Sequence, residues 1–81
     1  MMKDFYVRQV LEKAERRIEE IKENSNSVYG FVNNEDLKEY KVVTNLKEIA
    51  EAVTTAGTML SIIEQCYNEK AIMAWLNETI C

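Results

Sequence analysis

Between Asn45 and Tyr67 the chain carries Leu46, Ile49, Val53, Ala56, Leu60, Ile63 and Tyr67 at alternating three- and four-residue steps. That is the period of one helix face. Ala52, Met59, Ile62 and Cys66 form a second row beside the first. At about 100° per residue the two rows cover well over half of the circumference in the second half of such a helix. A helix this apolar is expected to be central, or shared with another chain. Asn45 as a cap, with Glu48 three residues later, is expected to start it with a capping box. Gly57 then falls mid-helix among Ala50, Thr54, Ala56, Thr58 and Ser61. Small side chains there allow either a close helix–helix approach or a small cavity.

The breakers point the same way. Eighty-one residues with no proline and two glycines, rich in Ala, Glu, Lys, Leu and Ile, predict a single all-α domain. Residues 3–23 read as one helix, with Val7, Leu11, Ala14, Ile18 and Ile21 as its seam and Val10 widening it. Asp4, Arg8, Glu12, Arg16 and Glu20 alternate in sign at four-residue steps, which supports a helix. Asn-Ser-Asn-Ser at 24–27 ends it.

Residues 28–44 admit two readings. Asn33-Asn34-Glu35-Asp36 is a helix start, and Leu37, Tyr40 and Val43 fit a short helix from Asn34 to about Val43. The alternative is a β-hairpin pairing 28–32 with 40–44, supported by Val42-Val43-Thr44. Further on, Asn68 either ends one helix and caps another or is crossed by one long helix. Beyond it, Ala71, Ile72, Trp75, Leu76 and Ile80 form an apolar face with Met73 beside it. The expected fold is a small antiparallel helical bundle of two long helices, 3–23 and 45–67, with one or two short ones. The wide apolar arc of the central helix predicts a homo-oligomer, a dimer first, with Ala52, Met59, Ile62 and Cys66 at its interface.

Composition narrows the chemistry. There is no histidine, so Ser-His and Cys-His catalysis and His-ligated metals are not expected. No glycine-rich phosphate loop, Cys-x-x-Cys pair or nucleophile elbow is present. Glu48-x-x-Glu51, with Glu64 further along, is the arrangement nearest to a Mg²⁺ site. All-helical nucleotide pyrophosphatases follow such a pair with Glu-x-x-Asp on another helix. Here Glu64-x-x-Tyr67 lacks the last acid, and no family resemblance is drawn. No enzyme activity, cofactor or metal is therefore expected.

The net charge is −4, and all of the excess lies after residue 24. No acid-free basic cluster exists to bind nucleic acid directly. No signal-peptide or membrane-length apolar run appears, and Cys66 and Cys81 do not make a disulfide framework, so a cytoplasmic setting is expected. These features favour a small non-enzymatic inhibitor, adaptor or immunity-type factor that acts on a protein partner. By analogy with small acidic proteins, it is of the kind phages and mobile elements encode. Tyr29 and Phe31, in the one stretch without helical periodicity, are the candidate contact residues, or else they cover the bundle core. The alternative is an oligomer that sequesters a small anionic ligand such as a nucleotide. Arg8, Arg16 or Arg17 would supply the charge, and Tyr29 or Phe31 a stacking face. A Mg²⁺-dependent nucleotide hydrolase is the third reading.

Overall fold

The computed structural model describes residues 2–25 and 34–80. Among them are four helices and no strand: α1 (Phe5–Ser25), α2 (Asn34–Ala52), α3 (Ala56–Glu64) and α4 (Glu69–Thr79). The hairpin alternative thus gives way to helix from Asn34 onward. Residues 26–33, including Tyr29 and Phe31, lie outside the described residues, as does Cys81.

α1 follows its seam. Val7, Val10, Ala14, Ile18 and Ile21 are buried, and Leu11 packs at the edge of the core. α2 contributes Val43, Leu46, Ile49 and Ala50, followed by Val53 just past its end. α3 adds Met59 and Ile63, and α4 adds Ile72, Trp75 and Leu76. One core cluster takes residues from all four helices. The start of α1 lies by the end of α2, where Lys3 meets Ala50, and its later turns lie by the first half of α2, where Arg17 meets Glu39.

The expected central helix is not one element. Asn45 does not start a helix; it sits inside α2. Val43, Leu46, Ile49 and Ala50, all buried, fall within about 120° of one another and so share one face across it. An interior Asn costs about 0.5 kcal/mol relative to the best helix formers. Burying Val43 and Leu46 completely is worth several times that. The helix that begins at Asn34 therefore runs on, and Glu48 is exposed rather than closing a capping box.

The break comes instead at Val53-Thr54-Thr55. Three successive β-branched residues lower helix propensity, and Thr55 is an effective N-cap. Its backbone is extended (φ −117°, ψ 149°), and its hydroxyl accepts from the Thr58 amide at 3.3 Å. Gly57 falls in the first turn of α3, exposed, with nothing within 4 Å of where a Cβ would stand. Neither close helix packing nor a cavity exists there. α3 ends at Glu64, and α4 starts after Asn68, so the chain does not cross Asn68 as one helix. Tyr67, read from the sequence as a core position, projects from the turn between them and is fully exposed.

Splitting the helix also removes the wide arc. Ala52 is exposed on α2, and Met59 on α3 is fully buried in this chain's own core. Ile62 and Cys66 pack partly against that core. The four residues do not form one row, and Met59 is not open to a second copy. No helix is long and apolar enough to cross a membrane among the described residues.

Candidate functional site

Two hollows and a two-point ion pair come together where α1, α2 and α4 meet. Arg17 on α1 faces Glu39 on α2 in a two-point pair: Nε donates to Oε2 at 2.6 Å and Nη2 to Oε1 at 2.7 Å. Its remaining terminal nitrogen, Nη1, donates to Glu20 at 3.1 Å. A planar guanidinium matches a carboxylate in this way, which lysine cannot do. The Glu39 carboxyl is held below the ordinary carboxylate value, chiefly by its hydrogen bonds from Arg17. Partial burial opposes the shift, and Arg17's charge and a smaller contribution from Trp75 add to it. Arg17 is correspondingly held more firmly protonated, first by its hydrogen bond to Glu39.

Two hollows flank this pair. One, of about 290 Å³, is bounded by Lys13, Arg16 and Glu20 on α1 and by Glu78 and Thr79 on α4. The other, of about 560 Å³, lies between Lys38 and Val42 on α2 and Ala71, Ala74 and Glu78 on α4. Arg17, Glu39, Trp75 and Glu78 border both. Trp75 is nearly buried, so its indole is a floor rather than a projection. Lys13 ties α1 to the end of α4 by donating from Nζ to the Thr79 carbonyl at 3.0 Å. Basic and acidic side chains line each hollow in equal number.

This arrangement redistributes the candidates read from the sequence. Arg17 is at the site, but its guanidinium is committed to two carboxylates. Arg16, exposed, lines only the first hollow. Arg8 is exposed elsewhere on α1 and borders neither hollow. Glu39, Lys38 and Trp75 were not singled out as site residues. No local signal marks Glu39, because its partner is 22 residues away on another helix. Trp75 is visible in the sequence as a core aromatic, which it is.

The acids Glu48 and Glu51 on α2 and Glu64 on α3 are all exposed. Among the described residues no three His, Cys, Asp or Glu side chains form a group that could hold a metal ion. The half-buried Cys66 thiol, just past the end of α3, donates to the Ile62 carbonyl at 3.3 Å. Comparison with known protein families, with characterised proteins and with solved structures finds no match to this chain.

Proposed function

We propose that this chain is a non-enzymatic binding protein of the inhibitor or adaptor type. In this reading α1 and α2 pair antiparallel, and a protein partner docks on the face where they meet α4. The observation that carries it is the neutralised Arg17. A phosphate site needs a cation with free donors, whereas here one guanidinium serves Glu39 and Glu20 together. What the face offers instead is an apolar floor of Val42, Ala71, Ala74 and Trp75 with charges of both signs around it. A mixed-charge rim around an apolar centre is the ordinary anatomy of a protein contact.

The test is affinity capture from native lysate with three baits. Ala74 is exposed, so Ala74→Arg fills the α2–α4 hollow without touching the core. A partner held by the wild type and by Glu64→Arg, a control on α3, but lost by Ala74→Arg supports the reading. Equal capture by all three rejects this face. Thermal shifts with a nucleotide panel run alongside. A shift abolished by Arg16→Glu would replace protein binding with anion sequestration.

A further inference from the structure

The junction of α2 and α3 carries the apolar pattern of a continuous helix, yet the chain turns there. The usual stop signals are missing. No glycine or asparagine follows Ala52, and the last turn of α2 has no basic residue. The caps come from the other end of the sequence. Lys3 Nζ donates to the carbonyls of Ala50 at 2.9 Å, Glu51 at 2.9 Å and Val53 at 2.5 Å. Asp4 serves the other side of the turn. Its amide donates to the Thr54 carbonyl at 2.7 Å, and its Oδ2 accepts from the Ala56 amide at 3.1 Å. A cation thus sits at a helix C-terminus and a carboxylate at a helix N-terminus, each favoured by the helix dipole.

These groups are the ones a continuous helix would use. In an unbroken α-helix the carbonyls of Ala50, Glu51 and Val53 accept from the amides of Thr54, Thr55 and Gly57. The Thr54 carbonyl accepts from Thr58, and the Ala56 amide donates to Ala52. In the bent chain Lys3 and Asp4 occupy the first four of these carbonyls and the Ala56 amide, and the Thr55 hydroxyl takes the Thr58 amide.

We propose that Lys3 and Asp4 form a clasp that selects the bent junction over a straight one, in which α2 and α3 fuse into a single helix. With the clasp released, each freed group has a helical partner within four residues. Leu46, Ile49, Val53, Ala56, Leu60 and Ile63 then fall on one continuous face. Straightening lifts α3 off the core and uncovers Met59 and Ile63, both fully buried in the bent form. The two residues just before α1 therefore control access to an apolar surface on α3.

The test is an intramolecular distance. Spin labels on Lys41→Cys and Glu64→Cys, both exposed positions, are placed in a Cys66→Ser/Cys81→Ser background and diluted with unlabelled protein. In a straight helix their backbones stand about 35 Å apart, and the turn at 53–55 makes the distance clearly shorter. Lys3→Met/Asp4→Ala is expected to bring in the long distance, whereas Lys3→Arg, which keeps the cation, retains the short one. Thr54→Ala/Thr55→Ala, with Lys3 and Asp4 intact, removes the cap and raises helix propensity, and shifts the distance the same way. The proposal is overturned if both sets of variants keep the short distance. It is equally overturned if the clasp variant loses its helical circular dichroism while the threonine variant stays short, because the clasp then only stabilises one fold.

Discussion

Replacing Glu39 with Gln keeps the side chain's shape and removes its charge from Arg17. Two reference cases bracket the cost. Exposed ion pairs contribute about 0–1 kcal/mol. Breaking a buried pair costs about 3–5 kcal/mol, because a charge is left without a partner. The Arg17 and Glu39 side chains are 33% and 29% exposed, nearer the first case, but the two-point geometry is better than a typical surface pair. Glu20 stays on Arg17 in the variant, so no charge is stranded. The expected loss is therefore about 1 kcal/mol, which for a domain of this size lowers Tm by roughly 4–8 °C. A double-mutant cycle with Arg17→Met isolates the coupling from changes in packing. Its pH dependence has a fixed sign. The folded carboxyl titrates below its ordinary value of 4.5, so the contribution is fully present above pH 4.5 and is lost as pH falls through the lowered folded value. Urea unfolding of both proteins at pH 7 and at several points below 4.5 should show a gap that closes with acid. A coupling of zero at pH 7, or a gap unchanged in strong acid, would refute the reasoning.

Other outcomes follow from burial. Met59→Ala should cost about 2–4 kcal/mol in urea unfolding, because a fully buried side chain is removed from the chain's own core, not from an interface. Gly57→Ala should raise stability by up to about 1 kcal/mol, since the position is helical, exposed and free of neighbours, and a measured loss would mean that something packs there. Tyr67→Ala should leave the unfolding free energy measured in urea within about 0.5 kcal/mol of wild type, whereas a core tyrosine at that position would cost several times more.

Elements whose ends are set by their own residues were legible. α1 was readable because its seam and its alternating charges agree along residues 4–21. The start of α2 was readable because Asn34, Glu35 and Asp36 mark a helix N-terminus on the spot. The apolar face of α4 was readable for the same reason: Ile72, Trp75 and Leu76 are all buried. Asn45 misled because a capping residue signals a start only where the apolar rows on either side are out of phase, and here they are in phase. At the site, Arg16 and Arg17 were visible as cations flanked by acids, but only the fold distinguishes them. Arg17 points at Glu39 across the α1–α2 contact, whereas Arg16, one residue earlier and about 100° around the helix, is exposed.

Thr54-Thr55 shows why the break was harder to see than the helices it separates. Thr55 can cap α3, but a threonine is also tolerated within a helix, at a cost of about 0.5 kcal/mol relative to the best formers. Taken alone, the local sequence is nearly balanced between a turn and a continuation. The periodicity on both sides then tips any local reading toward continuation. What tips the folded chain the other way arrives from about 50 residues upstream, as an ammonium on three carbonyls and a carboxylate on one amide. No window around Thr55 contains Lys3 or Asp4. Where local preference is this even, the contact that comes from furthest away decides the conformation, and substitutions at Lys3 should alter the α2–α3 corner more than substitutions of exposed residues beside it.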